Sequence, residues 1–431
     1  MNFLIYIYRE LLNSQYLKNL FILTGGVGFS QLIPLLLLPV LTRFFTPVDF
    51  GVFAIFMAII QLLSIIMTFR LEMAVVLPKK DLDAALLCLM SFLLVSVFSF
   101  ITFLMVIICY NMGLLFPVMN MLTTIPESIM LSVLCLIPVG VFFLGCYNIL
   151  YSWNNRLEFY KKMSYSHLIH SLISTPGAIL FYFSSLSSVG LILGQIIGRF
   201  MACFLLLKSL LRYIPESFSI SHLNRCKFLL KEYRRFIVFE TPHTILNFIS
   251  QKMIIAFFTI LFGFFTVGVF ELADKIIGKP LGIISNSFKT VFYKRLTTAK
   301  DKLLLFKKSI LLMTFISFIL TAPFYVIPDQ FFIFLLGPEW SDTGKYIQLL
   351  CPLLFSRFIF NVTIPSISYT LQNHYLLIWQ TIYLISLFIL FWFVYDLNIE
   401  NVLLLYAIFG AIMYALLGCV SFIALKNHMK N

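Results

Sequence analysis

Six charged side chains sit where a bilayer-spanning segment has no ordinary use for them: Glu240, Lys252, Glu271, Asp274, Lys275 and Lys279 all fall within the apolar stretch from Arg235 to Lys289. A charge at the centre of a spanning helix costs roughly 2.5–3.5 kcal/mol on insertion scales, so this many in two consecutive spans require a wet cavity, mutual pairing, or both. In the first span Glu240, His243, Thr244, Asn247 and Gln251 fall at i, i+3, i+4, i+7 and i+11, one face of a helix, with Lys252 about a quarter turn away. In the second, Glu271, Asp274, Lys275, Gly278, Gly282, Ser285, Asn286 and Lys289 form another stripe, with Lys279 on its edge and Glu271 at pairing distance from Lys275. Both stripes must face protein or water. Pro280 is predicted to kink the second helix in mid-span.

Arg199 in GQIIGRF and Arg357 in LLFSRFIF bring the intramembrane bases to five (Lys252, Lys275, Lys279, Arg199, Arg357), against three acids (Glu240, Glu271, Asp274). A water-filled cavity with that lining favours an anion. Arginine suits bidentate phosphate contact and lysine acts as a point charge. The acids are candidates for carrying a coupling proton or sodium ion, because a carboxylate beside a lysine can exchange its partner. The plainer alternative is that the charges neutralise one another and staple helices together, which accounts for the pairs better than for the surplus.

Catalytic signatures are missing. There is no HExxH, GxSxG or DxD, and GGVG at 25–28 lacks the Lys-Ser/Thr and the preceding strand of a phosphate loop. His167, His170 and His374 stand at span edges without ligand partners, and the eight cysteines are scattered through apolar runs without a CxxC, so they read as packing residues. No metal site and no resident cofactor is expected.

These residues need elements that span a membrane. Hydrophobic residues make up 61% of 431 and charged residues 11%, with mean hydropathy +0.99, which places the chain among polytopic membrane proteins. Apolar runs long enough to cross about 30 Å of hydrocarbon recur about twelve times. They are predicted at 20–44, 50–69, 84–108, 129–151, 168–183, 189–211, 236–261, 265–291, 309–327, 346–369, 375–395 and 402–425. The opening residues read as an uncleaved amphipathic lead-in. Most of the 31 basic residues fall in alternate connections, which predicts cytoplasmic termini and makes the net charge of +13 a matter of topology and not a nucleic-acid footprint.

The basic stretch 212–235 reads as a linker between six-helix lobes at 1–211 and 236–431. A shift of 217 residues lays FGVFAI at 50–55 over VGVFEL at 267–272, and a shift of 218 lays YSWNNR at 151–156 over YTLQNH at 369–374, as a half-length repeat predicts. The first half offers softer features. Gln31, Pro34, Pro39, Gln61 and Ser64 read as helix glue, and Arg70 with Glu72 as a membrane border.

The sequence LTRFFTPVDFGVFAIFMAIIQLLSIIMTFRLEMAVVLP at Leu41 to Pro78 resembles the Wzx-type O-antigen and oligosaccharide flippases of bacterial polysaccharide biosynthesis. The likeness continues in YRRFIVFETPHTILNFIS, in VGVFELADKIIGKPLGIISNSFKTVFYKRL and in LLGPEWSDTGKYIQLLCPLLFSRFIFNVTIPSISY. The resemblance implies an all-α membrane fold of about twelve helices, in two lobes around a central cavity, similar to multidrug and toxin extrusion (MATE) exporters of the MOP superfamily. It implies alternating access, an undecaprenyl-diphosphate-linked glycan as substrate, coupling to H+ or Na+, residence in the bacterial inner membrane, and polymerase and chain-length machinery as partners. It marks Arg43, Gly51, Arg70, Glu72 and Pro78 as signature positions. Two rivals stay open: an integral-membrane glycan polymerase or ligase, which would need a larger external loop bearing Arg or His, and a multidrug or lipid-precursor exporter of the same superfamily.

Overall fold

The computed structural model describes residues 15–113, 127–184, 189–213, 220–234, 236–299, 301–370, 372 and 374–430. Most of the lead-in and most of the connection at 110–128 lie outside these residues. Every regular element described is helical. In chain order they are α1 (Gln15–Leu36), α2 (Leu38–Phe44), α3 (Pro47–Thr68), α4 (Leu71–Ala74), α5 (Asp81–Asn111), α6 (Glu127–Arg156), α7 (Tyr160–Tyr182), α8 (Gly190–Leu210) and α9 (Ile220–Glu232). A π-helical turn, Phe236–Glu240, then leads into α10 (Thr241–Thr298), α11 (Lys302–Thr321), α12 (Asp329–Leu336), α13 (Thr343–Asn361), α14 (Ile364–Tyr369), α15 (His374–Phe393) and α16 (Ile399–Lys430).

Ten helical stretches among the described residues are long and apolar enough to cross a bilayer. One of them, Phe236–Tyr293, runs 58 residues and is two spans joined end to end, divided where Gly263 adopts φ 78°, ψ 179°. α7, with 23 residues, is long enough to span but too polar to count by hydropathy, since His167, His170 and several serines lie along it. Those two additions bring the structure to the expected dozen. The break inside α10 falls at Gly263, between the predicted spans 236–261 and 265–291, and the dihedrals stay helical through Pro280. A β carbon at Gly263 would meet nothing within 4 Å, so the requirement for glycine is its backbone conformation and not space.

The chain divides into two compact units, one made of residues up to Leu37 and Phe53–Phe248, the other of Leu38–Val52 and Ile249–Asn431. In the first unit α7 packs along both α1 and α8, while α6 packs against α5 and α8. Gly194 and Gly198 let α8 approach the α7 backbone at Ser174 and His170, a small-residue crossing of the kind that substitutes for hydrophobic driving force in lipid. A buried cluster around Trp153, Leu86, Leu87 and Leu206 fills the end where α5, α6 and α8 converge. At this end Arg225 of α9 grips Asp83 of α5 with two hydrogen bonds, at 2.8 and 2.7 Å.

The second unit packs α13 against α16 and α11, and seats α2 against α12. Its fully buried Trp340 donates from Nε1 to the Thr42 carbonyl at 3.2 Å and meets the Phe50 ring edge-on at 5.0 Å. Arg43 Nη2 donates to the Phe334 carbonyl at 2.6 Å. The signature segment near Arg43 is therefore locked onto LLGPEW by groups almost three hundred residues away in sequence. The 217-residue offset reappears here in space. A β carbon at Gly51 would overlap the Phe264 carbonyl, and one at Gly268 would overlap the Pro47 carbonyl. Pro47 and Phe264 stand 217 apart, as do Gly51 and Gly268, so the start of α3 and the second limb of α10 cross reciprocally, backbone against backbone.

Candidate functional site

The second limb of α10 presents Glu271, Asp274, Lys275, Gly278 and Lys279 within about two turns. Glu271 is 8% exposed and stands between two ammonium groups, Lys252 from the first limb at 3.3 Å and Lys275 one turn on at 3.8 Å. The helical period supplies the Glu271–Lys275 pair, and the reversal at Gly263 supplies Lys252. Lys275 also lies over the Phe50 ring, 5.8 Å from its centroid, so the signature segment contributes an aromatic face to the cluster.

Asp274 reaches across to α13, where Arg357 Nη2 donates to its Oδ1 at 2.9 Å. Gly278 makes room for this pair, since a β carbon there would lie 2.9 Å from Arg357 Nη2. The two side chains keep 33% and 35% of their surface accessible, although both helices are spans. Charged groups do not present that much surface to hydrocarbon, so the pair borders polar space. About three turns beyond Gly278, Lys289 donates to Asn361 of α13 at 2.9 Å. Lys279 is exposed and in no ion pair among the described residues. Around Glu271 and Asp274 four cations (Lys252, Lys275, Lys279, Arg357) thus accompany two carboxylates, and the arrangement can hold an anion by exchanging carboxylate partners for it.

Two candidates lie elsewhere. Glu240 ends the π-helical turn of the first unit, where its carbonyl accepts from Thr244 at 2.8 Å; its side chain is in no ion pair among the described residues. Arg199 of α8 also belongs to the first unit, with its guanidinium 4.6 Å from the centroid of the Tyr147 ring. Tyr147 shares a 3.2 Å hydrogen bond with Ser166 and meets His167 edge-on, while His170 pairs with Gln195 at 2.8 Å.

The signature positions hold local structure. Phe69 and Arg70 both adopt positive φ, 47° and 54°, and turn the chain from α3 into α4. Arg70 Nη1 contacts Glu72 Oε1 at 3.2 Å, while Glu72 Oε2 and Arg70 Nε have no hydrogen-bond partner among the described residues. Burial pushes the Glu72 carboxyl up from its ordinary value, and the Arg70 charge beside it pulls part of the way back. The Pro78 carbonyl accepts from Arg156 Nη1 at 2.6 Å. The same guanidinium reaches the Val75 and Val76 carbonyls at 3.3 Å and Asp81 Oδ1 at 2.9 Å, so Arg156 caps the end of the signature turn.

Arg156, Asn361 and the Arg225–Asp83 clamp escaped the sequence reading, because their partners are far off in the chain. So did Tyr406 and Tyr414, the electrostatic neighbours of Arg357. Tyr414 belongs to an aromatic group with Trp379 and Tyr383, at centroid distances of 5.5 and 6.5 Å. No group of three or more His, Cys, Asp or Glu fit to hold a metal ion occurs among the described residues.

The profile of a family described as "polysaccharide biosynthesis protein" matches residues 40–345, well over half of the chain. Among solved structures, the chain is similar to an inward-facing multidrug resistance MATE family transporter of the MOP superfamily, at 14% identity and TM-score 0.68, covering 95% of this chain and 94% of that one. It is similar to the lipid II flippase MurJ in an inward closed conformation, at 17% identity and TM-score 0.56, covering 96% and 89%. A third is a MOP superfamily transporter from Pyrococcus furiosus Vc1, at 12% identity and TM-score 0.54, covering 96% and 97%. No curated protein sequence matches the chain. At these identities the solved structures establish the fold.

Proposed function

The chain belongs to the polysaccharide biosynthesis protein family, and from that premise we propose that it is a flippase which moves an undecaprenyl-diphosphate-linked oligosaccharide from the cytoplasmic to the periplasmic leaflet of a bacterial inner membrane. The observation that carries the reading is the surplus of cations over carboxylates around Glu271, Asp274 and Arg357, in a chain whose fold is shared with transporters and a lipid-precursor flippase. A diphosphate is the anion that such a cluster fits best, because Arg357 offers a planar fork and the lysines offer point charges.

In this mechanism the head group displaces Asp274 from Arg357 and Glu271 from Lys275, while the polyprenyl chain stays in hydrocarbon. Each released carboxylate becomes free to take a proton or a sodium ion, which gives the gradient a point of entry without a resident cofactor. Arg199 is a further anion contact of the first unit, and Glu240 a further candidate for coupling. The head group then meets the periplasm by alternating access of two lobes, where a polymerase and chain-length machinery would take it up.

The test is complementation. Lys275→Ala and Arg357→Ala should each lower surface polysaccharide about tenfold or more at normal expression, since each removes a charge-assisted contact. Normal polysaccharide with both would remove the cluster from transport. Reconstitution with a fluorescent polyprenyl-diphosphate oligosaccharide, scored for transbilayer movement, separates the flippase from a polymerase, which would lengthen the glycan instead.

A further inference from the structure

Along the flank of the second unit, α11, α13 and α16 enclose an open groove of about 1200 Å³ whose lining is almost wholly apolar. Its walls are aromatic: Phe315 and Phe318 of α11 face Phe355 and Phe360 of α13, and Phe422 of α16 closes one end. α16 adds the small residues Ala415 and Gly418 to the lining, with the Phe360 ring lying directly on Gly418. Phe306 and Phe422 meet at 5.6 Å, so that end of the groove lies level with the start of α11 and the close of α16. There the lining changes character. Lys307 and Lys308 are exposed and form part of the rim, and Lys426 follows one turn beyond Phe422.

An apolar trough in a membrane protein is wet by lipid in any case, so apolarity alone identifies nothing. Three features select an occupant. The basic rim lies at one end only, which calls for a chain with an anionic head and sets its direction. From Phe306 to Phe318 the helix rises about 18 Å, close to the depth of one leaflet, about 15 Å. Six of the sixteen lining residues are phenylalanines, whose ring faces and edges suit the methyl branches and double bonds of an isoprenoid.

We propose that this groove binds the first isoprene units of a polyprenyl phosphate or diphosphate, with the phosphate held by Lys307 and Lys308. The inference rests on the flippase reading for its choice of lipid. It adds to that reading a docking place for the carrier's tail outside the charged cluster of Glu271, Asp274 and Arg357. The carrier docks there first, and leaves the groove as its head group moves on to the cluster.

The experiment uses the full chain in phosphatidylethanolamine vesicles with a benzophenone-bearing polyprenyl phosphate, and adducts are mapped by peptide mass. Adducts should concentrate in 306–318 and 415–423. Unlabelled undecaprenyl phosphate should suppress them about tenfold, and phosphatidylglycerol at the same mole fraction should leave them unchanged. Lys307→Gln with Lys308→Gln should reduce the adducts about tenfold as well, these being surface changes that leave packing intact. Ala415→Trp, which puts a large ring into the lining, should abolish them by filling the groove.

Equal suppression by phosphatidylglycerol would mean that the groove holds annular lipid and would overturn the proposal, as would adducts spread over all lipid-facing helices. The two readings fail separately. Selective adducts in a chain that moves no glycan would sustain the groove and sink the flippase, whereas transport unaffected by Ala415→Trp, with scattered adducts, would do the reverse.

Discussion

The pair Asp274–Arg357 shows why single substitutions in a charged membrane site are ambiguous. Asp274→Ala leaves a guanidinium without a partner, which costs about 1–2 kcal/mol at a site a third exposed, and activity would fall whether or not the arginine meets substrate. The double change Asp274→Asn with Arg357→Gln removes both charges together and leaves a polar side chain at each position, so neither is stranded without its counter-charge. If the pair is only a staple, the double variant should regain the stability of the parent and its polysaccharide output; if Arg357 holds the anion, thermal stability in detergent should return and output should stay low. Glu271–Lys275 was legible in the sequence because i, i+4 spacing on a helix is a local rule. Arg357 was legible as a charge out of place, but its partner was not, since the contact spans 83 residues.

Glu72 supports a different argument. Its carboxyl is 3% exposed, and burial raises it above the ordinary carboxylate range. The folded state therefore holds the proton more tightly than the unfolded state does. Below the unfolded value both states are protonated, and as pH rises from there toward the folded value stability is lost, because ionising the buried group costs more than ionising it in water. Glu72→Gln abolishes that loss. Measured in detergent, the melting temperature of the variant relative to the parent should become more favourable as pH rises above the ordinary carboxylate range; a difference independent of pH would mean that Glu72 is ionised and satisfied by Arg70 throughout.

At the scale of elements, glycine serves two ends that substitution can tell apart. Gly263 needs a conformation that other residues avoid, in open space, so Gly263→Ala should cost about 1–3 kcal/mol, with folding retained. Gly51 and Gly268 need proximity, since each faces the carbonyl of the other's helix. Gly51→Leu and Gly268→Leu should therefore each push α3 from the second limb of α10 and abolish folded yield, to a similar degree, as expected of positions related by the 217-residue offset. A large asymmetry, read by gel-filtration yield, would show that the reciprocity is only geometric.

Sequence made the offset visible as FGVFAI over VGVFEL, and it made the break in α10 visible as a dip between two apolar runs. It did not reveal that Leu38–Val52 clusters with the second unit, because the ties that place it there, Arg43 to Phe334 and Trp340 to Thr42, join residues of unremarkable local context. Pro280 was the more conspicuous residue, yet the dihedrals break at Gly263.

For the whole molecule the number of crossings decides which compartments the ends share. Among the described residues hydropathy finds ten stretches, the turn at Gly263 makes one of them two, and α7, which falls on the predicted span 168–183, adds one more. An even number returns the chain to its starting side. The basic residues then choose the side, because Lys and Arg near span ends resist translocation while long acidic stretches do not decide orientation. Lys302, Lys307 and Lys308 at the start of α11 and Lys426 at the close of α16 share an end of the second unit, and Glu400 at the opposite end of α16 pairs with Lys345. Fluorescent protein fused after residue 430 should accordingly be bright and alkaline phosphatase at the same place inactive, whereas phosphatase inserted at 396–398, between α15 and α16, should be active. An inactive phosphatase at 396–398 together with an active one after 430 would invert the orientation. It would also turn the basic rim of the groove toward the periplasm and so count against the proposed docking of a carrier there from the cytoplasmic leaflet.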